Sequence, residues 1–153
     1  MIYDAKTKDR VRTDFLAIHC AATRPSQDIG AKEIDRMHRQ RGFTCIGYNF
    51  VIRRDGKIEV GRPQNQTGAH VQDWNSVSLG ICLVGGVTEK DVNVAEDNFT
   101  PAQHLSLKGL LQGLQKEYPE ARIQGHNEFL NVRKACPSFD VQKWLKANQI
   151  TNP

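Results

Sequence analysis

The stretch Phe15-Leu16-Ala17-Ile18-His19-Cys20 is a short apolar run, and it predicts a buried strand that ends beside a histidine. Successive side chains of a strand point to opposite faces of the sheet, so His19 points away from Ile18 and Cys20. Only one of the two end residues, His19 or Cys20, can therefore face a metal ion. Cys20 suits the opposite face, where it acts as a small buried hydrophobic residue.

Further segments with strand character follow this run, over 48–53, 57–60, 79–84 and 121–125. The first two flank Asp55-Gly56, a dipeptide that is typical of a two-residue hairpin turn. Gly85-Gly86 follows the predicted strand over 79–84 and ends it. His126 follows directly after the predicted strand over 121–125. The sequence thus predicts two strands that end in a histidine.

Helical patterns alternate with these strands. The clearest helix begins at Thr100-Pro101-Ala102-Gln103, where Thr100 can cap the helix, proline suits its first position and Gln103 completes a capping box. The leucines that follow form one apolar face at helical spacing: Leu107, Leu110, Leu111 and Leu114. Helices are also predicted over 30–41 and 139–147. The order of elements predicts an α/β fold, a single domain in which helices flank a central mixed β-sheet.

The composition is that of an ordinary globular protein of 153 residues, with 39% hydrophobic and 25% charged residues. The net charge of +4 is dispersed along the chain, so we expect no specific nucleic-acid partner. No segment approaches the ~20 apolar residues of a membrane span, and residues 1–10 lack the apolar region of a signal peptide. We therefore expect a cytoplasmic protein without a transmembrane segment, in which the four cysteines form no disulfide.

Three residues could form a metal site. His19 and His126 end predicted strands, and Cys136 lies in a loop before Pro137. Two neutral imidazoles and one thiolate can hold zinc and leave a fourth position open for water, as a hydrolytic zinc site requires. The spacing does not match that of short zinc-binding motifs, however. On residue types alone, strand-end histidines and a buried cysteine are the better interpretation.

A series of short motifs along the chain resembles the motifs of a known protein family. In order, they are His19-Cys20-Ala21-Ala22-Thr23, Ile46-Gly47-Tyr48-Asn49-Phe50, Arg54-Asp55-Gly56, Gly61-Arg62, Gly68-Ala69-His70, Ser78-Leu79-Gly80-Ile81-Cys82-Leu83-Val84-Gly85-Gly86, Asn98-Phe99-Thr100-Pro101-Ala102-Gln103 and Lys134-Ala135-Cys136-Pro137-Ser138-Phe139-Asp140. This series resembles the zinc-dependent N-acetylmuramoyl-L-alanine amidases of the type-2 amidase and peptidoglycan recognition protein superfamily. The resemblance covers about 12–147 and implies one amidase domain over 1–153 with a short polar N-terminal tail.

The resemblance implies a role for individual residues. It assigns zinc (Zn2+) to His19, His126 and Cys136, in a surface groove of the fold. It assigns assisting roles to Tyr48, whose hydroxyl can hydrogen-bond the reacting groups, and to Lys134, whose ammonium can lie beside the developing oxyanion.

Other polar residues receive lesser roles. The resemblance places His70 at the edge of the groove, in contact with substrate. Asn49 departs from the pattern, since many relatives have histidine there. His38 and His104 fall within predicted helices, where surface or packing roles are more common than metal binding. Glu128 is expected behind the site or in solvent.

The activity that the resemblance implies is hydrolysis of the amide bond between N-acetylmuramic acid and L-alanine in bacterial peptidoglycan. A phage endolysin of this type is bacteriolytic and antimicrobial, and it reaches the cell wall from the host cytoplasm once the membrane has been opened. The alternative is a non-catalytic peptidoglycan-binding module of the same fold. Such members typically lack the zinc cysteine, which is present here as Cys136, so the enzyme is favoured. The resemblance also suggests phage RNA polymerase as a partner that the protein inhibits, and we expect a monomer.

Overall fold

The structure, a computed structural model, describes residues 3–153. In that range the strands are β1 (Phe15–Cys20), β2 (Phe50–Ile52), β3 (Ile58–Val60), β4 (Ser78–Leu83) and β5 (Arg122–Gly125), and the α-helices are α1 (Ala31–Gln40), α2 (Pro101–Glu117) and α3 (Val141–Ala147). The strands form one sheet in the order β3-β2-β4-β1-β5. All neighbours are parallel except β2 and β3. The predicted α/β fold with a mixed sheet is confirmed.

Strand β1 lies inside the sheet, between β4 and β5. Its Leu16, Ile18 and Cys20 side chains belong to the main hydrophobic core, whereas Ala17 packs in a separate cluster on the other face. This is the alternation that the sequence predicts for a strand. His19 therefore lies on the same face as Ala17, and its neighbour across the parallel ladder is Cys82 of β4.

Helices α2 and α3 cover the face of the sheet that carries the main core. Thr100 caps α2 as predicted, because its hydroxyl accepts the Gln103 N–H at 3.1 Å while the Gln103 side chain accepts the Thr100 N–H at 3.0 Å. The buried amide of Gln103 also donates to the carbonyls of Ile52 and Val84. The cap thus ties the start of α2 to the ends of β2 and β4.

Helix α1 packs on the opposite face through Ile34, against Ile46 and Val51. Tyr3, only 6% exposed, joins the same cluster, so the segment before residue 12 packs against the domain. The first two residues of the predicted tail lie outside the described range. Between α1 and the separate cluster around Ala17, this face of the sheet carries the polar side chain of His19.

Two local predictions differ from the structure. The hairpin between β2 and β3 has a three-residue loop over 54–56, because Arg53 pairs with Lys57 and Gly56 takes the left-handed conformation at φ 88°. Helix α3 begins at Val141, two residues later than predicted, because the Asp140 side chain caps it by accepting the Lys143 N–H.

The four cysteines are free thiols. Among residues 3–153, no helix combines the length and the apolar composition that crossing a bilayer requires.

Candidate metal centre

The carboxyl ends of β1 and β5 bring His19 and His126 together. The two strands are adjacent and parallel, with Ile18 opposite Gly125, so the residues that follow emerge at the same edge of the sheet. The imidazole centroids of His19 and His126 lie 4.6 Å apart. Both side chains are largely buried, with 1% and 9% of their surface exposed. The register of two strands thus joins residues that are distant in the sequence.

A one-turn 3-10 helix over His126–Glu128 sets the direction of the second imidazole. The Glu128 carboxylate accepts the Gly125 N–H at 2.6 Å and therefore closes this turn. Glu128 also accepts a hydrogen bond from Gln142 of α3. Its side chain is exposed and is hydrogen-bonded to the scaffold.

Cys136 completes the cluster from the loop before α3. Its sulfur accepts the Cys20 N–H at 3.2 Å, and its carbonyl accepts the Asn127 N–H at 3.0 Å. These bonds fasten the loop to the ends of both β1 and β5. The sulfur lies 3.9 Å from Nδ1 of His19, and one ligand atom from each of His19, His126 and Cys136 lies within 4.8 Å of the others.

This donor set fits zinc. Tetrahedral coordination at ordinary Zn–N and Zn–S lengths places the nitrogen and sulfur about 3.6 Å apart, close to the observed 3.9 Å between His19 Nδ1 and Cys136 Sγ. Burial lowers the pKa of His19 well below its usual value, and burial together with the Lys134 charge lowers the pKa of His126 to about 4. Both rings are therefore neutral at pH 7 and keep a lone pair for a metal.

The thiol of Cys136 is protonated in the absence of a metal. The adjacent Cys20 thiol and burial raise the pKa of Cys136 well above its usual value. A bound cation reverses this preference, because the thiolate is the form that coordinates. Metal binding at this cluster should therefore release a proton.

Comparison with known proteins agrees with this geometry. A family described as Amidase_2: N-acetylmuramoyl-L-alanine amidase matches residues 9–139. The chain belongs to this family. The family includes the enzymes that the sequence motifs resemble, so that identification is confirmed.

Individual relatives of this amidase family span nearly the whole chain. An endolysin of Enterobacteria phage K11 is 44% identical over 92% of this chain and 91% of its own length. An endolysin of Escherichia phage T7 is 43% identical over 94% and 92%. Among solved structures, the N-acetylmuramoyl-L-alanine amidase LysC from Clostridium intestinale has a TM-score of 0.74 at 26% identity and covers 99% of both chains.

Tyr48 lies beside the cluster. Its partly buried ring lies between two histidines, with its centroid 5.2 Å from that of His19 and 5.3 Å from that of His38. Burial raises the pKa of Tyr48 well above its usual value. The hydroxyl therefore keeps its proton at neutral pH and is available as a hydrogen-bond donor.

Lys134 is exposed in the loop that leads to Cys136. After burial, its positive charge contributes to the lowered pKa of both His126 and His19. No carboxylate forms an ion pair with Lys134 within the described range. The charge is thus available to groups that enter the site from solvent.

His70, which the resemblance places at the edge of the groove, lies beside His19. Its Nδ1 lies 2.8 Å from Nε2 of His19, on the side of the His19 ring that faces away from Cys136. Its Nε2 is shielded from solvent, and burial lowers the pKa of His70 to about 3. The two ring nitrogens of His70 are thus turned toward protein, although the residue as a whole is partly exposed.

Two further residues support the site. His38, predicted to be a surface or packing residue, is buried and accepts the Gly47 N–H on Nδ1 at 2.9 Å, one residue before Tyr48. Asn49, fully buried, accepts the Gly80 N–H and donates to the carbonyls of Pro63 and Gln66. His104 lies elsewhere and accepts the Trp144 indole N–H. Of these three residues, only Asn49 stands out in the sequence, as a departure from the family pattern.

Proposed function

We propose that this protein is a zinc-dependent N-acetylmuramoyl-L-alanine amidase of the phage endolysin type, which cuts the amide bond between N-acetylmuramic acid and L-alanine in peptidoglycan. The observation that carries the proposal is the convergence of His19, His126 and Cys136, whose ligand atoms lie within 4.8 Å of one another. Membership of the amidase family and the phage endolysins at 43–44% identity support the same activity.

The three residues would hold the ion through two neutral nitrogens and one sulfur. When bound, zinc would supply a Lewis acid and an activated water for hydrolysis. The hydrogen bond from the Cys20 N–H to Cys136 stabilises negative charge on the sulfur, as a thiolate ligand requires. The protein itself contributes a fixed geometry, since each ligand is fastened to the edge of the sheet.

Lys134 and Tyr48 are the groups we assign to the substrate carbonyl. The Lys134 ammonium would lie beside the carbonyl oxygen as that oxygen gains negative charge, and this interaction strengthens in the transition state. The Tyr48 hydroxyl, which stays protonated, would donate a hydrogen bond to the reacting groups and orient them. His126 would remain neutral beside this charge, because burial and Lys134 disfavour its protonated form.

The alternative is a peptidoglycan-binding module without catalysis. A module of that kind requires a surface that binds peptidoglycan. It does not require a thiolate ligand with a hydrogen bond from the main chain. The presence of Cys136 together with Tyr48 and Lys134 favours the enzyme. In the cell, we propose that the protein accumulates in the host cytoplasm and meets its substrate after the membrane is opened.

The polymerase partner stays a prediction from the sequence resemblance. The K11 and T7 relatives are described as endolysins. A binding measurement between the purified protein and the RNA polymerase of its phage tests this partner. A complex that persists in Cys136→Ala would support a second function, and no complex at micromolar protein would contradict it.

The amidase is tested by mass spectrometry of purified sacculi after digestion. We expect free stem peptides that begin with L-alanine, their loss after chelation and their return with added zinc. Cys136→Ala should release none, whereas Cys45→Ala, which removes a buried thiol in a different cluster, should act like the parent. Protein that binds sacculi and releases no peptide, with or without zinc, would establish the binding module instead.

A further inference from the structure

His70 and His19 form a directed pair of imidazoles. The Nδ1 atom of His70 lies 2.8 Å from Nε2 of His19, and the two rings meet edge to face at 86°. His19 presents its other nitrogen, Nδ1, to the sulfur of Cys136 at 3.9 Å. The two nitrogens of His19 thus have different partners, one in the metal cluster and one behind it.

This arrangement, together with the choice of ligand atom on His19, sets where the ring protons lie. A neutral imidazole has one N–H and one lone pair, and a metal ligand must direct its lone pair at the ion. If Nδ1 of His19 is the ligand atom, Nε2 carries the proton and donates it to Nδ1 of His70. His70 then carries its own proton on Nε2. Both tautomers follow once Nδ1 of His19 is the ligand atom, because the two rings share a single hydrogen bond.

The fold encloses the His70 ring closely. A side chain at Gly80 would place its Cβ 2.8 Å from the ring atoms Cγ and Cδ2, and one at Gly68 would come within 2.7 Å of Cδ2. The main-chain N–H groups of His70 and Val71 both donate to the Asn75 side chain at 2.8 Å. The ring therefore packs directly against Gly68 and Gly80, and the Asn75 side chain fixes the main chain that carries it.

The ring is held there at an energetic cost. Its Nε2 atom is shielded from solvent and lies near the main chain of Ser78, but it has no well-formed hydrogen bond to any group of residues 3–153. A buried polar atom without a partner destabilises a fold, so a hydrocarbon side chain would suit this space better on stability alone. The bond that His70 makes to His19 is the interaction that a hydrocarbon could not replace.

We propose that His70 is a positioning residue of the metal centre, which holds His19 in the ring orientation and tautomer that present Nδ1 to zinc. This inference rests on the proposed zinc-dependent function. It assigns His70 to the ligand and not to the substrate. Partners of this kind typically contribute 10–100-fold to metal affinity.

The proposal is tested by zinc affinity, measured by competition with a chelator, in three variants. His70→Leu fills the space without an acceptor, and its dissociation constant should rise about 10–100-fold. His70→Asn carries its oxygen near the former position of Nδ1, so it should recover most of the affinity. His104→Leu removes a hydrogen bond to Trp144 away from the site and should match the parent. An unchanged affinity in His70→Leu, or an equal loss in His70→Asn, would overturn the proposal.

A second measurement needs no variant. Nitrogen-15 NMR of the zinc-loaded parent should find His19 protonated at Nε2 and His70 protonated at Nε2. A proton on Nδ1 of His70, or coordination of zinc by Nε2 of His19, would contradict the assignment. A parent that binds no zinc would refute the proposed function, whereas a parent that binds zinc as tightly as His70→Leu would refute only the role of His70.

Discussion

The main-chain N–H of Cys20 donates to the sulfur of Cys136 at 3.2 Å, across 116 positions of the sequence. This bond joins the end of β1 to the loop before α3. It places the sulfur beside His19, the residue that precedes Cys20. The position of the third ligand therefore depends on β1, an interior strand that lies between β4 and β5.

We predict that Cys136→Ala and His126→Ala lose zinc as well as activity, because each leaves only two of three protein ligands. Metal analysis after gel filtration should show equimolar zinc in the parent and trace amounts in both variants. Cys45→Ala is the matched thiol control and should keep its zinc. Equimolar zinc in Cys136→Ala would remove that residue from the site.

Lys134→Ala should keep zinc and lose turnover, because its ammonium acts on charge that develops during the reaction and does not touch the ion. Loss of one such group typically lowers kcat by about 10²–10³-fold. Lys116→Ala, at the exposed C-terminal end of α2, serves as the control for a loss of positive charge. The assigned role of Lys134 fails if its variant turns over substrate at the parent rate.

Stability should depend on the protonation of His38. Burial lowers the pKa of His38 to about 4 from an ordinary 6.5, and its Nδ1 accepts the Gly47 N–H, which a protonated ring could not do. The unfolded chain therefore binds the proton more readily than the folded protein. The contribution of this residue is fully present above pH 6.5 and is lost as the pH falls toward 4.

Denaturant unfolding of the zinc-free protein at pH 7 and pH 5 measures this effect. His38→Asn keeps an acceptor for Gly47 but cannot be protonated, so its free energy of unfolding should fall less between the two values. The other buried histidines are present in both proteins, so the difference between the two pH profiles reports on His38. Parallel pH profiles would show that His38 makes no such contribution.

Leu111→Ala should destabilise the protein by about 2–5 kcal/mol, because this side chain of α2 is fully buried against the sheet. Leu105→Ala lies on the same helix with 74% of its surface exposed, and it should change stability by less than about 0.5 kcal/mol. Thermal or urea unfolding compares the two. A similar loss in both would mean that helix propensity, and not packing, determines the cost.

Local patterns were sufficient for most of the fold. The apolar run that ends at His19, the capping box at Thr100 and the leucine stripe of α2 each specify their element through nearby residues, and each is found as predicted. The boundary of α3 was misplaced because the Asp140 side chain, and not hydrophobic periodicity, determines where that helix begins. Caps act through single hydrogen bonds, so they shift element ends without altering the apolar pattern.

The sequence by itself determined the class of fold, the strand face that carries His19 and, through its motifs, the identity of the family. Only the tertiary structure decided that His70 lies behind His19 and that His38 supports the segment before Tyr48. The physical reason is that alternation along a strand specifies a face, whereas a contact between side chains on different segments depends on strand register and on the space left by residues such as Gly80.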